Sequence, residues 1–214
     1  MAAASCSYMV YGIAEVLPGQ GVVIVQAASS AEARAEGVRR LAFGEPLASV
    51  LTAMRDVRWA PEQQQIALLS LKEEMPQAFS GPAIADRHDL RSGVGFSLQG
   101  NSLATAAVLP AMQRALGARD RWRDDLGMAA ALMRALEAGA LAGGDRRCPS
   151  GGRTAYLSLH RRSDAAQLPW LTLVVFGLPE DQGGSVNHLQ VLFDAWRRDG
   201  HQHPSSRQFI VPRP

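Results

Sequence analysis

Apolar positions alternate with polar ones, or form short β-branched runs, near the start of the chain. Residues 8–16 and 21–28 are rich in Val, Ile and Tyr and flank Pro18-Gly19, a pair that favours a turn, so they predict a β-hairpin. The period then changes. Ser29 or Ser30 caps a helix with Glu32 in its first turn and Val38 and Leu41 at helical spacing, ending at Gly44. A second short helix starts at Pro46 with Leu47, Val50, Leu51 and Met54 on one face. Residues 62–71, centred on Ile66, Leu68 and Leu69, predict a buried strand, and shorter strands follow at 77–79 and 93–99.

The middle of the chain reads as helical. Leu103, Ala107, Met112 and Leu116 share one face, with Pro110 expected to kink or split that helix. Residues 122–142 combine Leu126, Met133 and Leu136 with many alanines, which suits close packing on a sheet, and Gly143-Gly144 marks the stop. Strands return at 154–160 and 170–176, and an amphipathic helix runs over 185–198. The tail, residues 200–214, is expected to pack poorly. Grouped helices between hairpin-like strands give an α+β order rather than βαβ alternation. One domain over residues 1–199 is the simplest organisation for this length.

Composition narrows the function classes. Lys plus Arg number 22 against 20 acids, and the paired arginines are scattered among acids, so the charge pattern excludes a nucleic-acid stripe. No apolar run is long enough to span a bilayer, and no membrane partner is expected. The start of the chain, Met1-Ala-Ala-Ala-Ser-Cys, lacks a basic leader region, which makes the cytoplasm the expected compartment. Cys6 and Cys148 are far apart and in no metal or redox spacing, so both thiols are expected to be reduced there. His88, His160 and His188 form no ligand spacing, and His201-Gln-His203 reads as surface, so no metal or other cofactor is expected. The short G-x-G fragments at Gly19-Gly21 and Gly93-Gly95 lack the third glycine and helix of a nucleotide site.

Two blocks carry a more specific signal: residues 95–104, Gly-Phe-Ser-Leu-Gln-Gly-Asn-Ser-Leu-Ala, and residues 136–147, ending Gly-Gly-Asp-Arg-Arg. With Gln26, Gly37, Gly44 and Gln77-Ala-Phe-Ser-Gly81, they resemble the signature of the domain-of-unknown-function 1028 family over residues 3–198. The resemblance implies the four-layer αββα sandwich of N-terminal nucleophile hydrolases, with the family's first strand missing from this chain. Thr172, Val174 and Phe176 stand where the family carries acids, which implies that a carboxylate cluster has given way to apolar surface, and Gly151-Gly152 is an insertion before the next strand.

In that superfamily the nucleophile is the first residue of the processed chain and its α-amine is the base. Only Ser5 or Cys6 offers such a side chain here, after further cleavage, so they are the candidate catalytic residues, set against their plain use in starting a strand. Gln99 and Asn101 flank Gly100 between strand and helix, where they can donate to a carbonyl oxygen or cap the helix. Asp145 with Arg146 or Arg147 can line a cleft or close its own loop as an ion pair. Gln26, Gln99, Asn101, Asp145 and Arg146 are the candidate binding residues, with Gln99, Asn101 and Asp145 expected in one cleft. Two functions fit: a hydrolase of amide bonds in a small or peptide-like substrate, or a non-catalytic descendant that binds a small molecule or acts in assembly. A strand edge left unpaired by the missing first strand predicts a homo-oligomer.

Overall fold

The computed structural model describes residues 1–210 except 85, 119–121, 149–150, 166, 180–181, 183 and 200–206, with backbone alone for 207–210. Among the described residues the fold is mixed α/β, with largely antiparallel sheets and five α-helices. The chain divides into two compact units, Gly12–Ser102 and Met1–Tyr11 with Leu103–Pro214.

In the unit Gly12–Ser102, strands β2 (Ala14–Leu17), β3 (Gly21–Ala27), β4 (Gln64–Ser70) and β5 (Gln77–Ser80) form an antiparallel sheet in that order. Helices α1 (Ala31–Ala42) and α2 (Leu47–Met54) cover one face. The pleat dictates this. Val23 and Val25 of β3 and Ile66 and Leu68 of β4 are fully buried against Leu41, Leu47, Val50 and Met54, while Gln26 and Gln65 fall on the other face. Ser30 caps α1, its hydroxyl accepting the Ala33 N–H at 3.0 Å, as the sequence predicts. Gly37 lets Met54 and Val23 pack directly onto α1; a methyl group there would stand 3.0 Å from Val23 Cγ1. The stretch expected as one strand at 93–99 is a hairpin of β6 (Asp89–Gly93) and β7 (Phe96–Gly100), with Gly95 at φ +76° in its turn.

The other unit contains β1 (Ala2–Ser5), β8 (Thr154–Leu159), β9 (Leu171–Val175) and β10 (Arg207–Ile210), in that sheet order. β1 and β9 run antiparallel to β8, whereas β10 runs parallel to β9. Two sequence expectations are corrected here. The first strand pairs Ala2 with Leu157 and Ser5 with Thr154, so residues 8–16 are not one long strand. Part of the tail expected to be loose adds a strand at residues 207–210.

Helices α4 (Asp125–Leu141) and α5 (Ser185–Arg198) share a core with β8 and β9, built from Ala155, Leu157, Leu171, Leu173, Val175, Met133, Leu189 and Phe193. Asp124 caps α4 by accepting the Gly127 N–H at 2.6 Å. Helix α3 (Val108–Leu116) packs on α4, where Gly139 admits Met112 at a distance no side chain would leave open. Pro110 does not kink it. It is the third residue of the helix, where the backbone N–H lacks an intrahelical partner in any case.

Candidate functional site

Two groups of sequence-selected residues can be built up, one in each unit. The first collects around Asp145, just past the glycines that end α4. Gly143 (φ +113°) and Gly144 (φ +54°) turn the chain, and the Gly144 carbonyl accepts the Ala104 N–H at 3.0 Å. Asp145, bridged to Leu103, then faces the end of β1. Its Oδ2 accepts the Cys6 N–H at 3.1 Å and the Arg147 guanidinium at 2.6 Å, while its Oδ1 accepts the Arg147 backbone N–H at 3.0 Å. Burial works against this carboxylate, but the Arg147 and Cys6 hydrogen bonds outweigh it and hold its pKa below the ordinary value. Arg147 reaches on to Ser5 Oγ at 3.4 Å, and Ser5 Oγ also accepts the Ser7 N–H at 3.0 Å.

Cys6 and Cys148 form a disulfide, with Cα atoms 5.5 Å apart. The expectation of two reduced thiols is therefore overturned. A bonded sulfur is no thiolate, so Cys6 carries no free nucleophile in this state. The physical reason lies in long-range pairing. Once β1 pairs with β8, the Ser5 carbonyl accepts the Arg153 N–H at 2.9 Å, and the start of the chain lies beside the 145–153 loop. Gly152 makes that approach open, since a methyl group there would stand 2.9 Å from the Ser5 carbonyl oxygen. Asp145, Ser5 and Cys6 thus come together. Arg147 supplies the cation that joins them, and both Arg147 and its neighbour Arg146 are exposed.

The second group lies on the β3–β4–β5 face turned away from α1 and α2. Gln65, fully buried, is its hub: its oxygen accepts from Gln26 Nε2 at 2.8 Å, and its Nε2 donates to Ser80 Oγ and to the Asp89 carbonyl, both at 3.1 Å. All three side chains sit on one ladder line, because Gln26 pairs with Gln65 and Gln65 with Ser80. The Asp89 carbonyl carries the line to the β6–β7 hairpin, where Asp89 is paired with Gly100 and Leu90 with Gln99. Gln99 differs from Gln65. Both polar atoms of its amide are buried without a hydrogen-bond partner among the described residues. Asn101 follows, half-buried, and Ser102 takes φ +52° while its hydroxyl donates to Asp86 Oδ2 at 2.8 Å. Ala27, next to Gln26, takes φ +66°. Non-glycine residues with such φ values are strained; Ala27 adjoins Gln26 and Ser102 adjoins Asn101, and Ala60 also takes φ +50°.

Gln26, Gln99 and Asn101 belong to the unit Gly12–Ser102, and Asp145 belongs to the other. Gln65 escaped the sequence reading, although a glutamine at an inward position of an apolar strand was its visible signal. Cys148 was visible only as half of a pair.

A third polar line runs along β8 and β9. Ser158 Oγ lies 3.1 Å from His160 Nε2, Thr172 is the ladder partner of Ser158, and Tyr156 is the partner of Val174. His160 Nδ1, Thr172 Oγ1 and the Tyr156 hydroxyl are buried without partners among the described residues. Burial, ahead of any charge, keeps the His160 imidazole below its ordinary pKa. Where apolar filling was expected, Val174 is buried and Phe176 meets Tyr8 edge-on at 4.8 Å, but Thr172 keeps a polar atom.

The model of the Family of unknown function (DUF1028) matches residues 1–180. The chain belongs to that family. A crystal structure of a DUF1028 protein from Silicibacter pomeroyi superposes with a TM-score of 0.72 over 98% of this chain and 92% of that one, at 21% identity. A match at that identity shows a shared fold. No curated protein matches the chain. Within the DUF1028 match lie Ser5, Cys6, Gln26, Gln99, Asn101, Asp145 and Arg146, and also Gln65, Arg147 and Cys148. Among the described residues no group of His, Cys, Asp and Glu is placed to hold a metal ion, and no helix is long and apolar enough to cross a membrane.

Proposed function

We propose that this chain is a non-catalytic DUF1028 protein that binds a small polar molecule, on an αββα sandwich of the N-terminal nucleophile hydrolase kind. Each unit supplies one sheet with helices on one of its faces, which are the half-structures such a sandwich requires.

The observation that carries the non-catalytic reading is the state of the two candidate nucleophiles. Cys6 sulfur is bonded to Cys148, and Ser5 Oγ accepts hydrogen bonds from Arg147 and Ser7. An activated serine donates its proton to a base; the hydrogen bonds that Ser5 Oγ makes among the described residues, from a guanidinium and an amide, both use its oxygen as acceptor and place no base beside it. Removing residues 1–4 to free Ser5 would also remove most of β1, whose pairing with β8 places the whole cluster.

The binding reading rests on Gln99. A buried amide with no partner costs roughly 1–3 kcal/mol, and a fold that keeps one retains it for a purpose other than stability.

Amide hydrolysis tests the first half. The protein, oxidised and reduced, is expected to release no p-nitroaniline from a panel of acyl and peptidyl p-nitroanilides beyond what Ser5→Ala and Cys6→Ala variants release. Its Ser5 should also take up no fluorophosphonate probe. Turnover that either substitution abolishes would return the chain to the hydrolases.

A further inference from the structure

The disulfide ties two segments that are also joined by hydrogen bonds, from the Cys6 N–H to Asp145 and from Arg147 to Ser5 Oγ. On one side is the end of β1, continuing into the exposed residues 7–9. On the other is the 143–148 turn, whose beginning is held by Ala104 and Thr105, with Thr105 Oγ1 donating to the Ala142 carbonyl at 2.9 Å. Cys148 is buried, but neither sulfur belongs to the cluster that Ala155, Leu157, Leu171, Leu173, Val175, Leu189 and Phe193 build with α4 and α5. Breaking the bond therefore leaves the core intact and frees the second half of the turn. The two sulfurs are also unequal. Cys148 is 5% exposed, whereas Cys6 is only half-buried and next to an exposed segment, so an external thiol reaches Cys6 first.

We infer that Cys6–Cys148 is a reversible redox latch: when closed it fixes the turn carrying Asp145 and Arg147 against Ser5, and when opened by a dithiol it releases that turn. In the opening step the dithiol's thiolate attacks Cys6 Sγ, the Cys6–Cys148 bond breaks, and Cys148 leaves as a thiolate that takes up a proton. The second thiol of the reductant then attacks the mixed disulfide and expels Cys6. The protein gains two electrons and two protons, and the dithiol becomes a cyclic disulfide. Closing is the same exchange run backwards by a small-molecule disulfide. The latch shuts in oxidising surroundings and opens in a reducing cytoplasm. It requires neither the ligand nor the loss of catalysis proposed above.

Trypsin reads the latch directly, because its cleavage sites at Arg146 and Arg147 lie in the turn. Arg147 is 44% exposed but pinned by Asp145, so cleavage depends on how often the turn opens. Protein oxidised with glutathione disulfide is compared with protein reduced by dithiothreitol, with cleavage followed by mass and folding by circular dichroism. Cleavage after Arg146 or Arg147 is expected to be about tenfold faster in the reduced protein, with unchanged far-ultraviolet dichroism, and to slow again on reoxidation. A Cys148→Ser variant should cleave at the fast rate under both conditions; if it fails to fold, the two states of the unmodified protein decide the matter. Equal rates in the two states would overturn the latch. Global unfolding on reduction would overturn it too, since the bond would then be a staple for the core.

Discussion

Val174→Asp is expected to destabilise the protein by roughly 3–5 kcal/mol in urea melts, enough to unfold a domain of ordinary stability. Val174 is 4% exposed and points away from the α4–α5 core, on the sheet face it shares with Tyr156 and Thr172. The Tyr156 hydroxyl offers no rescue. It sits at the far end of its ring, whose edge-to-face contact with Tyr11 at 5.4 Å fixes its direction, while an aspartate carboxylate ends one bond beyond its Cβ. Val174→Ala, which removes volume without adding charge, should cost roughly 2 kcal/mol. Burial raises the new carboxylate's pKa above its unfolded value of roughly 3.9, so the charge-dependent part of the penalty is absent below that value and grows as pH rises from it towards the raised folded pKa. Melts at pH 4 and pH 8 should show the difference. Phe176→Asp should cost less, because Phe176 is only half-buried. A small effect of Val174→Asp at neutral pH would mean that this position opens on solvent.

The second large effect separates two glutamines that look alike in the sequence. Gln65→Leu is expected to cost roughly 2–4 kcal/mol, because it takes the partner from the Gln26 amide, the Ser80 hydroxyl and the Asp89 carbonyl together. Gln99→Leu should be neutral or should raise stability by up to roughly 1–3 kcal/mol, since its buried amide has no partner to lose. Thermal or urea melts of the two variants side by side give the answer. Equal destabilisation would make Gln99 a structural residue and remove the support for a ligand at that position.

The sequence reveals some parts of this architecture and hides others for reasons that are physical. Helix α1 was legible because Ser30, Glu32, Val38, Leu41 and Gly44 obey local rules, and the β4 strand because its apolar run admits little else. β1 was hidden. Ala-Ala-Ala-Ser has poor strand propensity, and its conformation is imposed by pairing with residues 154–157. β6 was hidden as well, since Asp89-Leu-Arg-Ser-Gly has little apolar pattern and is stabilised by β7 across a glycine turn.

The site divides in the same way. Gln26, Gln99, Asn101 and Asp145 stood out through the family signature, which marks positions but not partners. What each of them touches is set by ladders and loops remote in the sequence. The disulfide is the sharpest case, because its cysteines are 142 positions apart and no spacing rule applies at that distance.

The occupied state of Cys6 underlies both the non-catalytic reading and the latch, and peptide mapping of the native protein under non-reducing conditions tests it most directly. The unreduced protein, alkylated and digested, is expected to yield one linked pair of peptides containing Cys6 and Cys148, with neither sulfur alkylated until a reductant is added. Full alkylation of both cysteines in the native protein purified under oxidising conditions would contradict it, and would leave Cys6 a free thiol beside Asp145 and Arg147.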